Sequence, residues 1–340
     1  MTRWPAEWEP HHAVWIGFPG DPAEWPVGRE AAQREVAAFA NAIADDGAGE
    51  TVVLVCRDAA DADVARGLVQ SCVDVVVEPF GDVWLRDSAP VFIAGPNGLD
   101  GRNFRFNGWG GKYEMAGDQD VGRRLARRFD LPVSDQDWIL EGGAIDGDGA
   151  GRLITTAQCV LNPNRNDGLR KEEVAERLRD ALAVQDICWL GDGLAADHTD
   201  GHVDNLARFV ASNMVAIPQA DTADDPNAEI FDDAAARAAA SGLQVVRLPS
   251  AGRYEFDGDI APASYMNFYI GNRVVAVPQY GAANDSKAVD QIAALFPDHK
   301  VIGLSSQALL RGGGSFHCIS QQIPQIDSPF ITYCVPAGTG

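Results

Sequence analysis

Three consecutive glycines lead to a cysteine near the C-terminal end of the sequence. Residues 311–320 read Arg-Gly-Gly-Gly-Ser-Phe-His-Cys-Ile-Ser, so Gly313 and Gly314 carry no Cβ atom and let a ligand approach the backbone closely. We predict that Cys318 stands at the head of a strand over residues 316–323. A thiol at the end of such a turn could act as a nucleophile, although most buried cysteines are small apolar residues of the core.

Charged side chains beside glycine mark the starts of three other apolar segments. Asp87 precedes the apolar run 89–94, Glu141 stands before Gly-Gly at the start of a second segment, and His202 and Asp204 open a third. His202 and Asp204 are two residues apart, so on a strand they would point to the same face. Each carboxylate taken alone has an ordinary explanation as a turn, capping or solvated residue.

A recurring order of secondary structure could bring these residues together. Periodic apolar residues predict helices at 29–45, 59–70, 119–129, 171–182, 227–241 and 286–296. Pairs of strands separated by turn residues are predicted at 83–94 with 101–106, 138–145 with 152–157, 202–210 with 214–218, and 265–270 with 273–278. A hairpin, a helix and one more strand thus recur about five times, which predicts a solenoid, a propeller or a closed ring. We expect one domain over residues 1–340, with a loose tail at 336–340.

If the units close into a ring, corresponding strand starts converge on one axis. Asp87, Glu141, His202, Asp204 and Cys318 would then share one pocket. A thiol with an imidazole is the minimum for thiolate chemistry. Carboxylates close by would raise the pKa of the thiol and oppose that chemistry, unless the substrate is itself a cation. Carboxylates are natural bidentate partners of a guanidinium group, so the pattern favours a small cationic substrate.

Composition excludes several other classes of function. The chain of 340 residues has a net charge of −22, with 49 acidic and 27 basic side chains, which opposes binding to nucleic acid or to anionic lipid. The six cysteines form no CxxC pair and read as buried thiols of a reducing compartment, not as a disulfide framework or a zinc site. We find no signal peptide and no run long enough to span a membrane, and we predict a cytoplasmic protein.

Several ordered motifs give the sequence a resemblance to the agmatine deiminases of the peptidylarginine-deiminase-like family, within the guanidine-modifying superfamily. The likeness runs from Trp4 to Pro324. The motifs are Trp-Leu-Arg-Asp-Ser-Ala-Pro at 84–90, Asn-Gly-Trp-Gly-Gly-Lys-Tyr at 107–113, Leu-Glu-Gly-Gly at 140–143, Thr-Asp-Gly-His-Val-Asp-Asn at 199–205, and Gly-Gly-Gly-Ser-Phe-His-Cys-Ile at 312–319. Two residues depart from the family pattern: Ser315 stands where asparagine is expected, and Phe316 replaces a smaller aliphatic residue.

The resemblance implies a fold and a set of roles. The fold would be a five-bladed α/β propeller, the pentein fold, which agrees with the unit count. Cys318 would be the nucleophile and His202 the acid and base, while Asp87 and Asp204 would grip the guanidinium group. Glu141 would support His202 and the substrate nitrogens. Trp84, Gly313 and Gly314 complete the set of substrate-binding residues that we predict.

The implied reaction is hydrolysis of agmatine to N-carbamoylputrescine and ammonia, a step toward putrescine and the polyamines. It proceeds through a covalent amidino-cysteine and requires neither a metal nor an organic cofactor, because the substrate carries the charge that the carboxylates stabilise. Three alternatives stay open. One is a deiminase or amidinotransferase acting on arginine, peptidyl-arginine or another guanidine. The second is a non-catalytic binding protein for cationic amines. The third, a papain-like amidase, is disfavoured by the carboxylates. The sequence is also compatible with a homo-oligomer.

Overall fold

Most strands belong to five small sheets, four of which share one order while the fifth has an additional strand. The computed structural model describes residues 2–25 and 28–326; the predicted tail at 336–340 and Cys334 lie outside these ranges. The strands within them are β1 (His11–Gly17), β2 (Thr51–Cys56), β3 (Asp74–Val77), β4 (Val91–Gly95), β5 (Gly98–Arg105), β6 (Val133–Ile139), β7 (Ile145–Gly147), β8 (Arg152–Thr156), β9 (Asp186–Leu190), β10 (Arg208–Ala211), β11 (Met214–Gln219), β12 (Gln244–Pro249), β13 (Glu255–Phe256), β14 (Asp259–Ile260), β15 (Tyr269–Ile270), β16 (Val274–Gln279), β17 (Lys300–Ser305) and β18 (Ser320–Pro324).

Helices connect the second and third strand of each sheet. The helical segments of the described residues are α1 (Arg29–Ala44), α2 (Ala59–Leu68), α3 (Leu85–Ser88), α4 (Gly108–Gly111), α5 (Val121–Arg128), α6 (Ala157–Val160), α7 (Pro163–Asn166), α8 (Lys171–Leu182), α9 (Ala228–Ala240), α10 (Asp285–Leu295) and α11 (Gln307–Gly312). None of them is both long and apolar enough to cross a bilayer. The six predicted helices correspond to α1, α2, α5, α8, α9 and α10 within a few residues at each end.

The predicted unit of hairpin, helix and strand is confirmed. Four sheets have the orders β4-β5-β6, β7-β8-β9, β10-β11-β12 and β15-β16-β17. In each of them the first two strands are antiparallel neighbours, and a helix crossover then adds the third strand parallel to the second. The fold is therefore α/β with strands that return through helices on the sheet surface, as a parallel connection requires.

The fifth sheet joins the two ends of the described chain. Its order is β18-β1-β2-β3, with β18 antiparallel to β1 and the other pairs parallel. Ile16 lies opposite Ser320, and the amide of Gly17 donates to the carbonyl of Ile319 at 2.9 Å. A Cβ atom at Gly17 would lie 2.2 Å from the carbonyl oxygen of Val83, so this position needs glycine. The pairing fixes the chain just after Cys318 against the first strand.

Apolar side chains from the helices and sheets fill the interior in the expected pattern. Helix α1 buries Val36, Phe39, Ala40 and Ile43, which recur at helical spacing along one face. Strand β2 is buried at five of its six positions, as expected for the middle of a sheet covered on both faces.

Five of the predicted strands are wrong where they approach the site. Residues 316–319 form a turn, and β18 begins only at Ser320, so Cys318 does not stand on a strand. His202 precedes a 3₁₀ turn (Val203–Asn205) and β10 begins at Arg208, so the same-face argument for His202 and Asp204 fails.

The other three errors have the same form. The predicted strand at 83–94 contains α3 before β4. The predicted strand at 138–145 is the end of β6, then a 3₁₀ turn (Gly142–Ala144) and the start of β7, so Glu141 lies between strands. The predicted strand at 265–270 begins with a 3₁₀ turn (Tyr265–Asn267) and is extended only in β15. In each case the segment leaves its sheet and carries polar side chains inward.

Candidate active site

The glycines before Cys318 serve two different needs. Gly313 follows α11 with φ of 114°, in the left-handed region that favours glycine. Gly314 has an ordinary φ, but a Cβ atom there would lie 2.6 Å from the indole of Trp84 and 3.0 Å from Cβ of Cys318. The first glycine therefore ends the helix, and the second lets Trp84 pack directly over the backbone of the turn that carries Cys318.

The thiol of Cys318 is held between an amide and a carboxylate. The Sγ atom lies 3.3 Å from Oδ2 of Asp204, and Nδ2 of Asn267 donates to it at 2.9 Å. The oxygen of the same Asn267 side chain accepts from the amide of Cys318 at 3.2 Å. Burial, followed by the charges of Asp204 and Asp87, raises the pKa of Cys318 well above its usual range. The thiol is therefore protonated in the protein as it stands.

His202 lies in the interior, and within the described ranges 2–25 and 28–326 neither ring nitrogen makes a hydrogen bond of normal geometry, although Cys159 and Glu141 lie close to the ring. It has no exposed surface, and its Nδ1 atom is 3.7 Å from Oδ1 of Asp87. The hydroxyl of Thr199 accepts from the His202 amide at 3.0 Å and fixes the backbone. Burial lowers the pKa of His202, but Asp87, Cys159 and Glu141 together outweigh burial and leave that pKa well above its usual range. The ring is thus an acid with a proton to give.

Gly143 is the point at which three functional groups converge. A Cβ atom on it would lie 2.6 Å from Nδ1 of His202, 2.9 Å from Oδ1 of Asp87 and 3.0 Å from Oδ2 of Asp204. The amide of Gly143 donates to Oδ1 of Asp87 at 2.9 Å, and Nε1 of Trp109 donates to Oδ2 of Asp87 at 2.9 Å. Both oxygens of Asp87 are therefore oriented, and the glycine leaves room for the imidazole and the second carboxylate.

Glu141 approaches His202 from another side and is itself held by an arginine. Nε of Arg165 donates to Oε1 of Glu141 at 2.6 Å, and both side chains are about 1% exposed. Glu141, Cys159 and His202 offer donor atoms that all lie within 4.8 Å of one another, a set that could coordinate a metal ion. Arg165 already supplies a cation to Glu141, which opposes a second cation at that place.

Asp204 is backed by a second buried histidine. Nδ1 of His317 lies 2.7 Å from Oδ2 of Asp204, and Nε2 of His317 lies 2.9 Å from Oε1 of Glu7. Burial raises the pKa of Asp204, but the hydrogen bond and charge of His317, with the charges of His202 and Arg208, together outweigh burial and lower that pKa below its usual range. Asp204 is therefore ionised beside the thiol.

A cavity of about 210 Å³ opens onto this cluster. Its lining consists of Glu24, Asp82, Trp84, Asp87, Trp109, Tyr113, His198, Thr199, Arg311, Gly312, Gly313 and Cys318. Of the eight predicted site residues, four line the cavity: Trp84, Asp87, Gly313 and Cys318. The other four contact this group from behind: Gly314, Asp204, His202 and Glu141. The residues predicted from separate motifs therefore do meet in one place.

Comparison with known proteins places the chain in a family. The model of the Porphyromonas-type peptidyl-arginine deiminases matches residues 3–324. The chain belongs to this family. It is 37% identical to the agmatine deiminase of Pseudomonas aeruginosa strain UCBPP-PA14, and the match covers 95% of each chain. The agmatine deiminase of Stutzerimonas stutzeri is 35% identical over 96% of each chain.

Solved structures of this deiminase family have the same fold. The agmatine deiminase of Enterococcus faecalis superposes with a TM-score of 0.88 and 32% identity, covering 95% of this chain and 96% of that one. The agmatine deiminase of C. jejuni with substrate bound gives a TM-score of 0.90 and 27% identity, covering 96% and 97%. The predicted α/β class and the predicted family are confirmed, and the chain is a deiminase-family enzyme.

The sequence did not indicate several residues of this cluster. Arg165 contacts Glu141, and Asn267 contacts Cys318. Cys159 lies beside His202. Glu7 reaches Asp204 only through His317. These four residues stand in segments that gave no chemical signal. Trp109 lies between glycines in the quoted motif at 107–113, and that setting was the available signal; the structure gives Trp109 a left-handed φ of 54°.

Proposed function

We propose that this chain hydrolyses agmatine to N-carbamoylputrescine and ammonia through a covalent intermediate on Cys318. The observation that carries the proposal is the 3.3 Å contact between the Cys318 thiol and an ionised carboxylate. Such a contact suppresses a thiolate in the free enzyme, and a bound guanidinium group would reverse the effect. The relatives named agmatine deiminase, at 35–37% identity over nearly the whole chain, support this choice of cation.

We also propose that the chain is one domain and that its five sheets are the blades of a closed α/β propeller. The shared strand order of the sheets supports this arrangement, as does the antiparallel pairing of β18 with β1. A propeller would place corresponding strand ends around one axis, which accounts for the meeting of site residues from separate sheets. A cytoplasmic location is supported by the five cysteines that are free among the described residues.

In the first half of the reaction, the guanidinium group binds between Asp87 and Asp204 under Trp84. Its charge lowers the pKa of the thiol, whose proton passes to solvent. The thiolate of Cys318 then attacks the guanidinium carbon, forming a C–S bond. His202 donates its proton to one terminal nitrogen, the C–N bond breaks, and ammonia leaves. The product on the enzyme is an amidino-cysteine that retains the alkyl tail.

In the second half, neutral His202 takes a proton from water. The hydroxide attacks the amidino carbon, the C–O bond forms and the C–S bond breaks. The sulfur leaves as a thiolate and takes up the proton of the new C–OH group, which restores the thiol and leaves the neutral ureido product to depart. Glu141 lies beside His202 and supports the imidazolium at each stage. The same group thus serves as acid and then as base, as its burial against Asp87 and Glu141 allows.

Direct assay tests the proposal. Purified protein is mixed separately with agmatine, arginine and a peptidyl-arginine, and ammonia and the ureido product are measured. Equal amounts of ammonia and ureido product from agmatine are expected. Absence of both products from every guanidine would refute the proposed activity. An amidino group transferred to an added amine, without ammonia, would indicate an amidinotransferase.

Agmatine is expected to be preferred over free arginine by at least about a hundredfold in kcat/KM, roughly 2.7 kcal/mol. Arginine adds an α-carboxylate, which needs a cationic partner when buried. Two nearby cations are already paired: Nζ of Lys112 lies 2.8 Å from Asp200, and Arg86 binds Glu7 at 3.1 Å. The measurement compares both substrates at one pH and one salt concentration.

One cation of the cavity lining could favour arginine instead. The guanidinium carbon of Arg311 lies 4.1 Å from the centre of the Phe256 ring, and Nη1 of Arg311 is 3.5 Å from Asp257. Equal rates on agmatine and arginine would contradict the agmatine assignment but leave the deiminase chemistry standing. In that case Arg311→Ala should selectively remove the activity on arginine.

Binding of the amine tail of agmatine is expected to depend on Asp82. Asp82 and Glu24 line the cavity, and burial together with Asp118 and Glu24 raises the pKa of Asp82 to about 7. A bound ammonium group would hold Asp82 ionised and form a charge-assisted bond. Asp82→Asn should therefore lower kcat/KM for agmatine by roughly tenfold to a hundredfold, and change that for n-butylguanidine, which lacks the amine, by less than about threefold.

The two substrates give this test its control. Asp87→Asn should impair turnover of agmatine and n-butylguanidine alike, because both present a guanidinium group. If Asp82→Asn also impairs both equally, Asp82 acts on the pocket as a whole and does not bind the tail.

A further inference from the structure

His317 precedes the nucleophile in sequence, and its ring lies between two carboxylates. Its side chain is fully buried, with Nδ1 at 2.7 Å from Oδ2 of Asp204 and Nε2 at 2.9 Å from Oε1 of Glu7. An ionised carboxylate only accepts hydrogen bonds. A neutral imidazole has one N–H and could satisfy only one of these contacts, so both contacts together require the imidazolium.

The charges around His317 lead to the same assignment. Glu7 accepts from Nη1 of Arg86 at 3.1 Å and also from Arg208, and Nε of Arg208 donates to Asp146 at 2.7 Å. The two guanidinium groups and the two carboxylates Glu7 and Asp146 balance one another.

On the cavity side, Arg165 is paired with Glu141, and His202 with Asp87. Since these other cations are paired with other carboxylates, His317 is the cation that pairs with Asp204. Since Cys318 lies 3.3 Å from the same Oδ2 atom of Asp204, the charge on His317 acts directly on the setting of the thiol.

The orientation of Asp204 depends on the same contact. Its Oδ2 atom meets His317 and Cys318, while its Oδ1 atom is buried and has no hydrogen-bond partner among the described residues. An unpaired buried carboxylate oxygen is costly unless a ligand satisfies it. His317 thus holds Asp204 by one oxygen and leaves the other for an incoming N–H group.

We propose that His317 is a positioning residue: held as an imidazolium by Glu7, it fixes the charge and the orientation of Asp204 and thereby sets the reactivity of Cys318. The proposal rests on the proposed function only in taking Cys318 as the nucleophile. It links the nucleophile turn to the N-terminal segment through a chain of buried ionic contacts. Its test can therefore use the thiol without any substrate.

Two neutral replacements of His317 test its contacts with Asp204 and Glu7 separately. In His317→Asn the amide nitrogen takes the place of Nδ1 and keeps a donor toward Asp204. In His317→Gln the longer side chain places a donor near Nε2, toward Glu7, and leaves Asp204 without one. With agmatine, kcat/KM should fall by about tenfold in His317→Asn and by at least about a hundredfold in His317→Gln.

The pH dependence of thiol alkylation distinguishes the two roles, because a residue that only fills space would not change the pKa of Cys318. Iodoacetamide labelling of the Cys318 peptide is followed by mass spectrometry as pH is raised, with the exposed Cys72 as an internal standard. Loss of the imidazolium leaves Asp204 uncompensated, so the pKa of the thiol rises. The midpoint of labelling should move to higher pH, by about one unit in His317→Gln, while labelling of Cys72 should not change.

Several outcomes would overturn the proposal. Equal losses in the two variants with an unchanged labelling profile would mean that His317 only fills space. If neither variant folds by circular dichroism, NMR of the parent protein labelled with ¹⁵N-histidine decides: two ring N–H signals from His317 support the proposal, and one refutes it. A parent protein that labels as expected but hydrolyses no guanidine would refute the proposed function and leave this inference standing.

Discussion

Replacement of Cys318 by alanine is expected to lower the turnover of agmatine by at least about four orders of magnitude, as removal of a catalytic nucleophile does elsewhere. In the part of the chain that the structure describes, no other thiol contributes to the lining of the cavity. Binding should survive, because Asp87 and Asp204 keep their charges, and the fold should survive because a small buried side chain is shortened by one atom. Ammonia release measures turnover, and calorimetry with agmatine measures binding.

Two further variants complete this test. Cys56→Ala removes an equally buried thiol in β2, away from the cavity, and should retain activity within about threefold of the parent. His202→Ala should slow both halves of the reaction and allow an adduct with the mass of agmatine less ammonia to be detected on Cys318. A Cys318→Ala enzyme with a near-normal rate would contradict covalent catalysis.

Asp87→Asn should lower kcat/KM by two to three orders of magnitude, since breaking a buried charge-assisted pair typically costs about 2–5 kcal/mol. Both oxygens of Asp87 accept from fixed donors, the Gly143 amide and the Trp109 indole. The amide group of asparagine would direct its own N–H toward one of them. The variant thus loses a charge opposite the guanidinium group and also disturbs the pocket wall.

The dependence of kcat on pH is also expected to shift in Asp87→Asn, and the direction of the shift follows from the pKa of His202. Asp87 is the main group that raises the pKa of His202, so its loss lowers that pKa. His202 then loses its proton at lower pH, and the alkaline limb of kcat should move toward acid. Asp137→Asn, at a surface carboxylate paired with Arg177, is the matched control and should change neither rate nor profile. Activity of Asp87→Asn within tenfold of the parent would place this carboxylate outside the mechanism.

The sequence alone predicted the regular elements better than the segments of the site. The predicted helix 171–182 agrees with α8 at both ends, because its apolar residues recur at the helical period and its N-terminus carries Glu173 in a capping contact. The segments that hold Asp87, His202 and Cys318 were assigned to strands. They are a short helix, a 3₁₀ turn and a turn, whose inward polar residues follow neither period.

Site residues could be recognised in the sequence where a carboxylate or a thiol stands beside glycine at the edge of an apolar segment, which is an unusual place for such a side chain. Their supporting partners had no such signal. Glu7 and His317 are 310 positions apart and meet only through the tertiary fold. Arg165 reaches Glu141 across 24 positions from a polar segment that resembles many surface turns. Periodic patterns in the sequence predict helices and strands, because those depend on neighbouring residues. Contacts between residues far apart in sequence depend on how the sheets pack, so these patterns do not predict them.

The pairing of β18 with β1 bears on how the protein is made. Strand β1 emerges early from the ribosome and is largely buried in the finished fold, yet the neighbour for one of its edges is synthesised roughly 300 residues later. Until then an apolar strand edge is open to wrong partners, which is the usual origin of aggregation in nascent chains. Such distant pairing also makes folding slow. The same late strand follows the turn that carries Cys318. A stalled or clipped chain would therefore lack the strand that anchors this turn. Only a chain synthesised past β18 would then be catalytically competent.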